Sequence, residues 1–205
     1  MCGLVTTQRA AGHAARPHLC ADATVAAAAI VTGLQTLVSR EVDPADSAVI
    51  TVGKLTSGTA YNVVSARAVL EGTLRCIQHE TRALLKERIA IMVTGLATSY
   101  GTSATVEFND SVPPVVNSSA LIPLALAAAH ATVGKDNVMP LPKANMGAED
   151  FGNYLEHVPG VFVRYGAAVE GRAVGGAHTS TWDFNEEALL VGAKYLASVA
   201  THVVR

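Results

Sequence analysis

The chain has 205 residues, half of them hydrophobic and only 16% charged, with 15 Lys+Arg against 17 Asp+Glu for a formal net charge of -2. That balance offers no basic excess to condense on a phosphate backbone, which argues against general nucleic-acid binding. High apolar content with little net charge argues against disorder, and the length suffices for one substantial core or two small domains.

The first strand is expected over residues 3–8, followed by a Gly/His/Pro loop from Ala11 to His18. Asp22 is placed to cap the alanine-rich run Ala23–Val38, which reads as a helix because alanine loses least on entering one. Within it, Ala26–Val38 is apolar but interrupted by Thr32 and Gln35, too short to span a bilayer. Asp43-Pro44-Ala45-Asp46 is a turn. Ser47–Leu55 is rich in β-branched residues and reads as a strand. Thr56–Ala60 is a Ser/Thr/Gly loop. Ala66–Ile77 alternates as a second strand, with Val69, Glu71, Thr73 and Arg75 on one face. Residues 80–98 carry apolar positions at helical spacing, and Thr102–Phe108 closes the series as a strand. The order β-α-β-β-α-β is the split βαβ pattern of four antiparallel strands with two helices on one face.

Asn109–Asn117, with Pro113-Pro114, breaks this rhythm, and a domain boundary is expected there. Beyond it, helices are expected over Ser118–Val133, Glu149–Glu156 and Glu186 to about Thr201, the last capped by Asp183 or Asn185. Gly134–Met146 reads as loop with room for a short strand. Val161–Tyr165 reads as a strand of a larger sheet whose partners are not visible in this sequence. The residues between, Gly166–Trp182, form a glycine-rich loop.

Three widely spaced cysteines (Cys2, Cys20, Cys76) with no CxxC argue against a disulfide scaffold or zinc knuckle and fit a reducing, cytoplasmic setting. Met1–Ala10 lacks the basic start and apolar run of a signal peptide.

The residues with chemical potential sit in loops. His13 and His18 flank Arg16 in Gly12–His18; an imidazole there can act as base, electrophile or ligand, or can be a surface histidine. Asn62 follows a glycine-containing loop and could donate to a developing oxyanion, or serve a turn. Arg75 could grip a carboxylate in a bidentate manner, or point outward from its strand. His178 lies in a glycine-rich loop, one imidazole where a zinc site needs three or four protein ligands. Glu149 and Asp150 stand at a helix start, where capping alone accounts for acidic residues. No nucleophile elbow, phosphate-binding loop or dinucleotide fingerprint is present.

Several longer strings carry a resemblance: GHAARPH (12–18), LQTLVSR (34–40), AVITVGKLTSGTAYNVV (48–64), LEGTLR (70–75), MGAEDF (146–151), VPG (158–160) and AHTSTWDFNEEAL (177–189). Together they resemble the C-terminal half of the M20 metallopeptidase and amidohydrolase family, in the branch of hippurate hydrolases, N-acyl-amino-acid deacylases and auxin-conjugate hydrolases.

The resemblance implies an α/β (α+β) protein. Residues 1–109 would be a complete βαββαβ lid, or dimerisation, domain, and residues 110–205 the C-terminal segment of an α/β zinc-peptidase-like catalytic domain whose N-terminal segment is absent. It implies a homodimer in which His13 reaches the neighbouring subunit's site and polarises the scissile carbonyl. Asn62 would lie near the substrate, Arg75 would grip its carboxylate, and His178 would be the C-terminal metal ligand. Glu149 and Asp150 would lie beside the cleft, with His18 in a less defined place. The family's dinuclear zinc or manganese centre activates water, with a glutamate carrying its proton. That glutamate and the other metal ligands belong to the missing segment, so this chain alone is expected neither to hold the metals stably nor to be active. The implied function is a fragment of an amidohydrolase acting on small N-acyl amino acids of the hippurate kind, with a separate N-terminal half as a partner and neither nucleic acid nor membrane. The alternative is an inactive truncated protein keeping only the lid's dimerising role. Two departures from the family pattern stand out: Ser65-Ala66 in place of Pro-Asp after Asn62-Val63-Val64, and His178-Thr179-Ser180 in place of His-Ser-Pro.

Overall fold

The computed structural model describes residues 2–8, 10–109, 112–141, 145–147, 149–171 and 179–203. The chain divides into two compact units, one comprising Met1–Pro114 with Met146–Ala148, the other Val115–Asn145 with Glu149–Arg205.

The first unit runs β1 (Cys2–Gln8), β2 (Gly12–His13), a 3-10 turn at Pro17–Leu19, α1 (Ala23–Glu41), β3 (Ala48–Ser57), β4 (Val63–Val64), β5 (Arg67–Cys76), α2 (His79–Ser99) and β6 (Ser103–Asn109). Four strands form an antiparallel sheet in the order β3-β5-β1-β6, and β2 pairs separately with β4. The main elements follow the expected β-α-β-β-α-β order. The β2–β4 pair is additional: Gly12–His13 falls in the expected Ala11–His18 loop, and Val63–Val64 lies between the expected Thr56–Ala60 loop and the strand after it.

Local chemistry explains the boundaries. The Asp22 carboxylate accepts from the amides of Thr24 (2.8 Å) and Val25 (3.3 Å), satisfying two of the donors a helix start leaves open. α1 then buries Ala23, Ala26, Ala27, Ile30, Leu34 and Leu37, one helical stripe. By length and composition α1 could cross a membrane; that stripe is packed into the core. α2 buries Thr81, Leu85, Ile89, Val93 and Ala97, four residues apart each time. Both stripes meet the inward face of β5 (Ala68, Leu70, Leu74), with Ile50, Val52, Val106 and Phe108 packed around them. The opposite face of β5 presents Val69, Glu71, Thr73 and Arg75.

The second unit holds α3 (Ile122–Val133), a 3-10 turn at Lys135–Asn137, α4 (Phe151–Leu155) and α5 (Glu187–Val203). α3 starts four residues later than expected: Ser118–Leu121 form a turn, and Pro123, which lacks an N–H, sits in the first helical turn. α4 is shorter than expected, beginning after Asp150. The Asn185 side chain accepts from the Glu187 amide at 2.9 Å at the start of α5. Tyr195 is buried with its ring edge-on to Tyr165, centroids 6.1 Å apart.

Val161–Tyr165 is not a strand. Its backbone meets a side chain instead of a neighbouring strand: the Asn117 carboxamide donates to the Phe162 carbonyl (3.0 Å) and accepts from the Phe162 amide (2.8 Å). Among the described residues the second unit contains no strand; of the stretch 134–146, Lys135–Asn137 form a 3-10 turn and 142–144 lie outside the described residues.

Candidate active site

His13 and Asn62 are brought together by the β2–β4 pair. Gly12 faces Val64 and His13 faces Val63 in antiparallel register, and the Ala14 amide donates to the Asn62 carbonyl at 3.0 Å. Val64 turns inward and is buried, whereas His13 and Asn62 are exposed at the tip. The pairing requires glycine at position 12. A Cβ there would stand 2.6 Å from the Cys20 Sγ and 2.8 Å from its Cβ. The cysteine in turn donates to the Pro17 carbonyl at 3.5 Å.

The orientation of the His13 ring follows from its main-chain neighbour. The Ala15 amide donates to His13 Nδ1 at 3.1 Å. A ring nitrogen that accepts cannot carry the proton, so neutral His13 holds it on Nε2 and presents an N–H donor. His18 lies five residues on, exposed, in the 3-10 turn.

Arg75 sits at the other end of the sheet. It lies eight residues beyond Arg67 along β5, about 26 Å at the rise of an extended chain, while the His13–Asn62 hairpin hangs from the Arg67 end. Its Nη1 donates to the Met146 carbonyl at 2.8 Å. A bidentate grip on a carboxylate uses two N–H groups on one edge of the guanidinium, so Nη1 must leave this carbonyl or the remaining nitrogens must do the gripping.

In the second unit, Glu149 is half-buried and its carboxylate lies 3.4 Å from the Phe151 amide, which donates to it. Asp150 is the exposed N-cap of α4, but its side chain caps nothing. His178 lies outside the described residues. Among the described residues no three of His, Cys, Asp and Glu stand close enough to hold a metal ion. These residues do not fit a dinuclear centre, and no step through a metal is assigned to them.

The sequence marks Ser65 only as a departure from the family pattern and gives Ser57 and Thr24 no role, yet the three hydroxyls connect beneath the hairpin. The available signal was a pair of serines eight residues apart, bracketing the loop that carries Asn62.

The model of peptidase family M20/M25/M40 matches residues 11–202, and the chain belongs to that family. It is 43% identical over 151 residues to the N-acetyldiaminopimelate deacetylase of Geobacillus thermodenitrificans (strain NG80-2), covering 73% of this chain and 39% of that protein. It is 37% identical over 154 residues to the N-acetyl-L-cysteine deacetylase of Bacillus subtilis (strain 168), covering 75% and 36%. The fold is similar to that of Bacillus subtilis YXEP, a dinuclear metal binding peptidase of family M20, with a TM-score of 0.76 and 27% identity over 99% of this chain and 49% of that one. The chain spans about half the length of the curated relatives it matches.

Proposed function

We propose that the chain is the C-terminal half of a metal-dependent amidohydrolase that cleaves the amide bond of N-acyl amino acids. In this reading residues 1–109 act as the lid and dimerisation domain, and residues 110–205 are the C-terminal segment of the catalytic domain. The observation that carries it is the His13–Asn62 pairing on an exposed hairpin, with His13 Nε2–H directed away from its own main chain.

Amide hydrolysis passes through a tetrahedral intermediate whose carbonyl oxygen becomes an anion, and pre-placed N–H donors stabilise that charge. His13 and the Asn62 carboxamide are two such donors on adjacent strands. His13 acts as a donor and keeps its proton. The Arg75 end of β5, about 26 Å from the hairpin end, is too far for both ends to touch one small substrate within one chain. That separation supports the expectation that His13 serves the cleft of a second copy. The relatives' names support N-acetylated amino acids as the substrate class; hippurate-like compounds share the N-acyl amide but carry a bulkier acyl group in place of acetyl. The free thiols of Cys20 and Cys76 suit a reducing, cytoplasmic setting.

The second reading is a catalytically inactive truncated protein that keeps only the lid's dimerising role. One experiment separates them. The chain is co-expressed with the N-terminal half of the Geobacillus deacetylase, loaded with zinc or manganese, and assayed for acetate release from N-acetyl amino acids, with mass measured by light scattering. Hydrolysis that disappears in His13→Ala supports the enzyme. A dimer without hydrolysis supports the second reading.

A further inference from the structure

β3 carries one residue more than the strand opposite it: Val52 pairs with Gly72 and Lys54 with Glu71, leaving Gly53 unpaired. Side chains alternate between faces along a strand, so an extra residue reverses the facing of everything after it. Before the bulge, Ala48, Ile50 and Val52 pack toward the helices. After it the positions on the helix side are Leu55, 43% exposed on this edge strand, and Ser57, opposite Leu70 and Ala68. Without the bulge, Thr56 would take the inward place and Ser57 would face outward.

The inward Ser57 enters a chain of hydroxyls. Its Oγ lies 2.8 Å from Thr24 Oγ1 on the first turn of α1 and donates to Ser65 Oγ at 3.0 Å. Ser65, buried at 8% exposure, donates to the Arg67 carbonyl at 2.8 Å and accepts from the Gly58 amide at 3.1 Å. Its own carbonyl accepts from the Ala23 amide at 3.1 Å. A proton direction that satisfies the row runs Thr24 to Ser57, Ser57 to Ser65 and Ser65 to Arg67, and the Arg67 carbonyl also lies 3.1 Å from the Ser57 Oγ as a second acceptor. The β3–β5 ladder ends at Ser57 and Ala68, so residues 58–64, which carry Asn62 and β4, leave the sheet at the point these hydroxyls hold.

We propose that Ser57 and Ser65 are positioning residues that clamp both ends of the 58–64 loop and thereby hold Asn62 and His13 side by side. The proposal rests on the reading that these two residues face the substrate. Neither serine touches substrate. Each acts through the β2–β4 pair and the Ala14–Asn62 hydrogen bond.

The test is amide hydrogen exchange, read by NMR on the 205-residue chain, for Ser57→Ala, Ser65→Ala and Ser65→Thr. In Ser65→Ala, exchange at Ala14 and Val63 is expected to rise about tenfold, the size of a lost hydrogen bond, while Leu70 and Ile89 in the core stay within about twofold. Ser57→Ala should give a smaller rise at the same amides, and Ser65→Thr, which keeps the hydroxyl, should restore protection. In the complemented enzyme, Ser65→Ala should lower kcat about tenfold and leave KM within about twofold, the split expected when a transition-state donor is misplaced. Unchanged exchange at Ala14 and Val63, an equal rise at every amide, or a Ser65→Thr variant that behaves like the alanine would each overturn the proposal. If the complemented wild type hydrolyses nothing, the functional reading fails, and the exchange measurements still decide the role of the two serines.

Discussion

Asn117 and Phe162 form a closed pair in which one side-chain amide does the work of a strand, with one bond to the Phe162 carbonyl and one from its N–H. The Ser118 amide extends the contact by donating to the Gly160 carbonyl at 2.9 Å. Asn117→Ala removes both side-chain bonds at once. The expected cost is about 1–3 kcal/mol of local stability, seen as faster exchange at the Phe162 amide. Asn117→Asp, which keeps an acceptor but loses the donor, should lie between the two. No change at Phe162 in either variant would contradict this assignment.

Acid should weaken the first unit through Glu41. Arg88 grips both of its carboxylate oxygens, one of them from Nη2 at 3.0 Å. That hydrogen bond holds the Glu41 carboxyl below its ordinary value of 4.5. The folded state therefore binds fewer protons than the unfolded state in this range, so the contribution is complete above the unfolded pKa and is lost as pH falls through the folded one. The side chains are 40% and 27% exposed, Arg88 and Glu41 respectively, and solvent screening keeps the effect small. Urea unfolding between about pH 5 and pH 3 should show a steeper loss for the wild type than for Glu41→Gln.

Two glycines should resist enlargement for different reasons. A Cβ on Gly72 would lie 2.5 Å from the Thr51 carbonyl oxygen, a main-chain atom of the paired strand. Gly72→Ala should cost about 1–3 kcal/mol, because the strand must move to admit it, with a lower thermal midpoint for the whole unit. Gly12→Ala meets the Cys20 side chain, so its effect should stay at the hairpin and leave the midpoint nearly unchanged. Gly12→Ala with Cys20→Gly, which removes both clashing atoms, should recover much of any loss.

His13→Ala and Asn62→Ala truncate exposed side chains, so each should leave thermal stability within about 0.5 kcal/mol. In the complemented enzyme, each should lower kcat by about a hundredfold or more, the scale of a lost oxyanion donor. Equal losses of stability and of activity would assign these residues to folding instead.

Burial pushes the Cys76 thiol up, with Arg82 opposing and Asp46 reinforcing the shift. Since the thiolate is the nucleophile, iodoacetamide at neutral pH should label Cys76 more slowly in the folded chain than in urea. Equal rates would show the thiol to be freely ionising.

The first unit was legible in the sequence because its signals are local and repeated: the Asp22 cap, the four-residue spacing of Leu85, Ile89 and Val93, the alternation through Ala68 and Leu70. The second unit was less so. Val161–Tyr165 has the composition of a strand, but a strand exists only by pairing, and here a distant asparagine takes the partner's place. His13 and Asn62 could be singled out as residue types, yet nothing in their spacing of 49 positions announces that their strands pair. The inward turn of Ser57 depends on one unpaired residue four places earlier, which period-two reading cannot register. Arg75 reads in the sequence as a carboxylate grip or an outward-pointing strand residue; its bond to a carbonyl 71 residues away belongs to the folded chain alone.

β1 lies in the middle of its sheet, with Cys2 opposite both Thr73 and Asn109. Its second neighbour, β6, follows it by 107 positions at the Cys2–Asn109 pair. Contacts this distant in sequence slow folding, and an unpaired strand edge is open to wrong partners in the interval. The β3–β5 hairpin, whose strands are close in sequence, can form without that contact, whereas the sheet's central strand is among the last to be paired on both sides.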